Sequence, residues 1–266
     1  MKIIAIRDGE YFSYNGQWSF EFDNIQNVNV QVGMLEEPFI ASRNIKEIKV
    51  RGRNKPYFIE VEESPISLQL NFGWQNPKDT DAIREVARWL HQDYFVEFFT
   101  SSTPTRIFYV IPANADINYI HNSLGSGYIS LTLRNISNTS YSPVYVKNYS
   151  ELDFSAGSGN FTIINYGDLV IPIECWIQKV TEGGTVTITN NSDGGKVFGF
   201  DSLVTNEIVY TDNEDLYIET DEAATYRYDN RVSNFEPLKL IRGNNNFVVS
   251  GKCKLQLRYQ FQTLQG

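Results

Sequence analysis

One stretch constrains this chain more than any other: residues 79–111 carry its only long helical pattern and, directly behind it, two apolar runs joined by a turn. Asp79, Thr80 and Asp81 offer oxygens for an N-cap, and Ile83, Val86, Ala87 and Leu90 recur at three- and four-residue spacing. That spacing lays them on one face while Arg84, Glu85 and Arg88 stay in water, so a single amphipathic helix is expected over 79–92. Tyr94–Phe99 and Arg106–Ile111, rich in aromatic and β-branched residues, read as strands on either side of Ser101-Ser102-Thr103-Pro104-Thr105. A lone helix in a chain of strands closes one side of a β-sandwich or split barrel.

Strand and turn signals fill the remainder. Tyr11–Tyr14 and Trp18–Phe22 flank Asn15-Gly16, the strongest short hairpin signal, and Val28, Val30 and Val32 alternate with polar residues. Asn44–Val50 and Tyr57–Glu60 flank a basic turn, Arg51-Gly52-Arg53-Asn54-Lys55, in which Gly52 can supply a positive φ. Ile48 and Val50 share a face with Lys46 while Ile45 points the other way, a pattern that suits an edge or a rim. Ser67–Phe72 and Tyr128–Leu133 are further strands. The stretch Asn135–Ser142 has no periodicity, so two domains are expected, 1–140 and 141–266. In the second, Phe161–Ile164, Leu169–Trp176, Val186–Thr189, Asn206–Tyr210, Leu216–Glu219 and Lys254–Tyr259 read as strands of a β-sandwich. A hydrophobic fraction of 41%, with 16 Tyr and 17 Phe against 2 Met, favours sheets over helix bundles.

Few functional classes fit the residues. A net charge of −9 argues against wrapping nucleic acid, although an acidic wall suits DNA that must slide past. The N-terminal apolar run is too short for a signal peptide and no run approaches a membrane span, so folding in a cytoplasm is expected. Cys175 and Cys253 lack the spacing of a zinc site and read as buried thiols. The two histidines, His91 at the helix end and His121 in a loop, have no Ser or Cys motif beside them and read as solvated or packing residues. Asp212 with Glu214, and Asp221 with Glu222, have the look of paired acids but sit in an acidic, turn-rich segment that reads as a solvated face. Asp212-Asn213-Glu214-Asp215 lacks the grammar of a calcium loop. No catalytic residue, metal or cofactor is therefore expected.

In their order, these pieces resemble the distal tail protein (Dit) family of long bacteriophages with non-contractile tails. Phe12-Ser13-Tyr14-Asn15-Gly16 with Ser19 is similar to the family's opening hairpin, and Ile83-Arg84-Glu85-Val86-Ala87-Arg88-Trp89-Leu90 to its helix ending in Trp-Leu. The turn Arg51-Gly52-Arg53-Asn54 resembles a "PGRNG" motif, with Val50 and Arg51 where proline is common and Lys55 where glycine is. Late in the chain, Asn165-Tyr166-Gly167 with Pro172 resembles an Asn-x-Gly…Pro pattern, and Leu240–Asn245 an "L-x-x-G-x-N" turn.

The resemblance implies a mainly β protein: an N-terminal β-sandwich or split barrel with one helix, then a C-terminal galectin-like β-sandwich. It implies a structural virion protein at the tail tip, six copies closing a ring that joins the tail tube protein to tip and receptor-binding proteins. DNA would cross the channel without specific binding. On that reading Arg51, Gly52, Arg53 and Asn54 are subunit-interface candidates, the cations clamping carboxylates of a neighbour; a hairpin kept soluble by charge is the other reading of the same turn. A carbohydrate-binding module for host-wall adhesion is the alternative function. The galectin signature, a His-Asn-Pro-Arg run and a Trp followed by Glu and Arg, is missing, and Trp176, ending an apolar strand, is expected in the core.

Overall fold

A computed structural model describes residues 10–28, 38–74, 79–113, 117–124, 126–152, 159–180, 182–223 and 225–264. Two compact units form the chain, one from residues up to Ser142 together with the end of the chain from Thr263, the other from Pro143–Gln262.

The first unit holds β1 (Phe12–Tyr14), β2 (Gln17–Trp18), β3 (Gln26–Asn27), β4 (Arg43–Ile48), β5 (Tyr57–Glu63), β6 (Ser67–Gly73), α1 (Thr80–Leu90), β7 (Val96–Thr100), β8 (Phe108–Pro112), β9 (Asn118–His121), β10 (Gly127–Asn135) and β11 (Ser140–Tyr141). Its main sheet runs β2-β1-β7-β8-β10-β6-β3, with β9 sharing an edge of β10. The hairpin at the start turns on Asn15 and Gly16, both at positive φ, as an Asn-Gly turn requires. Trp18–Phe22 departs from the expected strand. After Trp18 the chain coils into a 3-10 turn over Ser19–Glu21, because the Ser19 hydroxyl accepts from the Phe12 amide (3.2 Å) and donates to the Ile25 carbonyl (2.9 Å). The alternation at Val30 and Val32 lies outside the described residues.

Helix α1 starts where Asp79 accepts from the Ala82 amide at 2.9 Å. It buries Val86, Trp89 and Leu90 against the sheet. Trp89 does most to fix it there: its ring stacks on Phe22 at 4.3 Å and Phe12 at 5.6 Å, and its Nε1 donates to the Tyr14 carbonyl at 3.0 Å. Tyr14 returns a bond from its phenol to the Leu90 carbonyl at 3.1 Å, and burial pushes that phenol up to about 12. The unpatterned Asn135–Ser142 stretch is ordered by side chains in place of a ladder. Asn135, fully buried, accepts from the Tyr109 amide and donates to the Ser137 and Thr139 carbonyls.

The second unit comprises β12 (Tyr145–Leu152), β13 (Asn160–Asn165), β14 (Ile171–Pro172), β15 (Glu174–Lys179), β16 (Gly184–Asn190), β17 (Lys196–Leu203), β18 (Ile208–Asp212), β19 (Tyr217–Thr220), β20 (Lys239–Leu240), β21 (Gly243–Ser250) and β22 (Cys253–Tyr259), and β23 (Gln262–Thr263) follows. A five-stranded sheet, β12-β22-β15-β18-β19, and a four-stranded sheet, β13-β21-β16-β17, enclose one core that includes Ile177, Val209, Leu257, Ile188, Phe200 and Phe247. Both motifs singled out late in the sequence are buried asparagine clamps. Asn165 donates to the Leu169 and Leu240 carbonyls, and Asn245 pairs with both backbone groups of Ile241 and accepts from Asn190. Cys175 and Cys253 are free and buried, and burial raises both thiols, Cys253 to about 11, so neither is a thiolate near neutral pH.

The Glu207 carboxylate pins the 3-10 turn Arg227–Asn230 to this sandwich. It receives Arg227 Nε (2.5 Å) and Nη2 (2.6 Å), the Thr220 hydroxyl (2.7 Å) and the Val204 amide (2.9 Å), with both ionic side chains buried. Such a pair is costly to break from one side, since the remaining charge stays in the interior. Arg227→Met is expected to lower unfolding stability by about 3–5 kcal/mol in a denaturant titration. Arg227→Lys should recover only part of that loss, because an ammonium cannot reproduce the forked contact.

Candidate functional site

Among the described residues, strands β4 and β5 pair only with each other. Their register sets Arg43 opposite Glu63, Ile45 opposite Val61, Lys46 opposite Glu60 and Ile48 opposite Tyr57, with a bulge between Lys46 and Glu47. Every residue of both strands is exposed. That holds for the apolar ones too: Phe58 is 66% exposed, Ile45 61% and Ile59 52%, and Ile48, Tyr57 and Val61 are also open to solvent. Among the described residues, these six large apolar side chains of a two-stranded ribbon enter no core. An isolated hairpin is at best marginally stable in water, and a solvent-facing ribbon of Ile, Val and Phe is the pattern that edge strands ordinarily avoid.

Beyond the ladder itself, what holds the ribbon is ionic and basal. Arg43 meets Glu63 at 2.7 Å, Lys46 reaches Glu60 at 3.1 Å and also Glu62, and Asn138 donates to Glu63. At the base the Ser64 amide donates to the Ser42 carbonyl, and Ile66 is buried between Ser137 and Asn135 through two backbone bonds (3.0 and 2.8 Å). Exposed ion pairs of this kind contribute little each, about 0–1 kcal/mol. The ribbon is thus a projecting arm with an anchored root.

Its tip holds the four residues singled out by sequence. Arg51, Gly52, Arg53 and Asn54 form the turn between β4 and β5 and are all exposed. Gly52 sits at φ +86° with nothing near the position a Cβ would take, so the requirement for glycine there is conformational. The Arg53 amide closes the turn on the Val50 carbonyl at 3.1 Å, and its guanidinium lies over the Tyr57 ring at 4.1 Å. With Lys49 and Lys55, four cations stand on seven residues of an otherwise acidic chain. The sequence showed this cationic turn; the bare apolar flanks behind it were visible only as imperfect alternation.

Candidate chemistry elsewhere resolves into structure. Asp212 accepts from the Glu214 and Asp215 amides and Asp221 from the Ile208 amide, so these acids shape turns. His121 ends strand β9 rather than lying in a loop, stacked on Tyr119 at 4.7 Å. A mostly apolar hollow of about 440 Å³ beside α1, whose lining includes Ile83, Leu90, Ile117, Tyr119 and Ile129, takes in His91 at the helix end but sets no Ser or Cys nucleophile beside it. No group of His, Cys, Asp or Glu among the described residues is disposed to hold a metal. Among the described residues, no helix is long and apolar enough to cross a membrane. Trp176 departs from the expected core position: β15 alternates, burying Cys175 and Ile177 and turning Glu174, Trp176 and Gln178 outward.

Known proteins are similar to this chain in sequence and in fold. Residues 7–137 match a family described as phage tail protein N-terminal domain, and residues 144–259 match the phage tail C-terminal domain. The chain is 30% identical over 265 residues, 97% of its length and the whole of the other protein, to the SPbeta prophage-derived uncharacterized protein YomH of Bacillus subtilis (strain 168). In three dimensions it is similar to the Dit protein of phage SPP1, described as a paradigm of the hub adsorption apparatus in phages infecting Gram-positive hosts. The TM-score is 0.66 at 12% identity, covering 94% of this chain and 98% of that one, a likeness of fold.

If the arm has no core of its own, its amides should exchange with solvent early. Hydrogen exchange of the isolated chain is expected to run about a hundredfold faster over 43–63 than over β6 and β10. Equal protection would mean that the ribbon is covered within the monomer.

Proposed function

The chain belongs to a family of phage tail proteins, and from that premise we propose that it is the hub of the tail tip: a structural protein, not an enzyme, six copies of which close a ring. In this reading the first unit builds the ring, the second is a galectin-like sandwich projecting from it, and the ring joins the tail tube protein to the tip and receptor-binding proteins. An acidic inner wall lets genome DNA pass without adhering, since like charges repel. The protein is at work in the virion tail tip after synthesis in the host cytoplasm.

The observation that carries this reading is the arm. A ring needs a heterologous contact, in which one patch of each copy meets a different patch of the next. An anchored ribbon exposing Ile45, Ile48, Phe58 and Ile59 is one half of such a contact. Burying a side chain of that size removes it from water for about 1.5–3 kcal/mol, so a few of them supply most of an interface. The apolar hollow beside α1 is a fitting receiver on the neighbour. The cations of Arg51 and Arg53 then have carboxylates to meet on an acidic partner surface, where a guanidinium binds with two parallel hydrogen bonds.

Reversing the charge at both arginines, Arg51→Glu with Arg53→Glu, is expected to weaken the ring while leaving the monomer's melting temperature nearly unchanged, as read by sedimentation velocity beside thermal denaturation. Phe58→Ser should act in the same direction, since it changes an exposed side chain. Parallel loss of assembly and melting temperature would instead assign these residues to folding.

A further inference from the structure

A sheet edge left open offers a row of unpaired amides and carbonyls to any other strand, and proteins blunt such edges by shortness, charge, bulges or a cover. Among the described residues this chain does so almost everywhere. Strands β2, β3, β11, β14, β20 and β23 have two residues each, and β9 and β19 have four. β4 and β5 carry Lys46, Glu60 and Glu62. β12 carries Lys147 and shifts register between Tyr149 and Leu152. β17 is covered, since the Val232 and Glu236 amides donate to its Gly199 and Val197 carbonyls at 3.2 and 2.7 Å.

Strand β13 is the exception. It pairs with β21 and with no other described strand, over six residues, Asn160-Phe161-Thr162-Ile163-Ile164-Asn165, that include no charge, proline or bulge. Its inner face is fixed: Ile163 and Asn165 are buried, and Phe161 stacks on Phe247 at 5.0 Å. Its outer face, Asn160, Thr162 and Ile164, is exposed. β21 behind it, Gly243–Ser250, is uncharged too. The charges beyond the Asn165 end, Asp168 and Arg242, face each other at 3.9 Å. A regular, uncharged, β-prone edge of this length is a template for a further strand.

Going beyond the hub reading, and independent of ring closure because the arm and β13 lie in different units, we propose that β13 is a self-association edge. It pairs antiparallel with β13 of a second copy, and two four-stranded sheets become one. Two features select a second copy as the occupant. The first is register. A twofold axis normal to the sheet keeps core side beside core side, so only positions that share a face can meet. Centred on Thr162, the axis sets Phe161 opposite Ile163 on the core side and Asn160 opposite Ile164 outside. An aromatic ring beside a β-branched side chain is a favourable cross-strand pair. The Asn165 side chain, held by the Leu169 and Leu240 carbonyls, stays clear of the contact. The second is charge. Copies of a chain of net charge −9 repel where their acidic surfaces meet, and the neutral β13–β21 ladder gives them a contact free of that cost. The contact also closes. An isologous pair uses the edge of both copies, so it ends at two and does not grow into a fibre.

The test uses the full chain with one cysteine added at the axis, Thr162→Cys; Cys175 and Cys253 are buried and take no part. Air oxidation is expected to give a disulfide-linked dimer on a non-reducing gel, because directly opposed strand positions lie within disulfide reach. Thr185→Cys, exposed on an inner strand of the same sheet, should give none above background. Thr162→Lys and Thr162→Glu each set like charges face to face and should each weaken dimerisation about tenfold or more in sedimentation velocity. An equimolar mixture of the two should restore it, a rescue that a folding defect would not show. The proposal is overturned if Thr162→Cys links no more than Thr185→Cys, or if the mixture associates no better than either variant alone. Electron microscopy of the unsubstituted chain keeps the two readings separate: rings without the 162 cross-link sink this inference alone, and cross-linked pairs without rings sink the hub alone.

Discussion

Two crossed bonds, from the Trp89 indole to the Tyr14 carbonyl and from the Tyr14 phenol to the Leu90 carbonyl, set the frame for the first unit. The two rings pack edge to face and each bonds a backbone carbonyl of the other's element, so helix and opening hairpin cannot shift separately. Around them Phe12, Phe22, Phe72 and Phe98 complete an aromatic core. That core closes without a contribution from β4 or β5. Among the described residues, the apolar side chains of the arm enter neither core, and holding them in water is a cost that those cores do not offset.

Association offers the return. The arm's root is fixed by Ile66 and the Asn135 clamp, while its body is held by exposed ion pairs worth little individually. An element of that kind adapts its body to a partner while keeping its point of departure. The tip adds direction: four cations in a chain of acidic balance favour one orientation of approach over others. Membership of a phage tail family makes other components of a tail the natural partners of such a surface, and the proposed ring would add further copies of the same chain.

Much of this fold was legible in the residues, for reasons specific to each place. Helix α1 was readable because its buried positions keep helical spacing and Asp79 supplies the cap; the first turn was readable because Asn15-Gly16 meets a positive-φ demand at both positions. Strands β12 and β17 were not read, since Tyr145–Leu152 mixes polar and aromatic residues and Lys196–Leu203 carries Gly199 where β16 approaches too closely for a Cβ. The 3-10 turn after Trp18 depends on hydroxyl bonds of Ser19 to residues on both sides, which no periodicity reveals. Trp176 was misplaced because the run Leu169–Trp176 is apolar at nearly every position and so hides the alternation that keeps Ile171, Ile173, Cys175 and Ile177 inward and turns Trp176 out. At the arm, the basic turn was visible in the sequence; the exposure of Ile45 and Phe58 was not, because amphipathic and uncovered ribbons differ only in what lies against them.

The central claim is that this chain is built to join copies of itself. Negative-stain or cryogenic electron microscopy of the purified full-length protein, alone and with the tail tube protein, tests it most directly. The account predicts closed rings with sixfold symmetry and an open centre, with density for residues 43–63 lying against the adjacent copy. Particles that remain monomeric under both conditions, or rings in which 43–63 touches no neighbour, would contradict it.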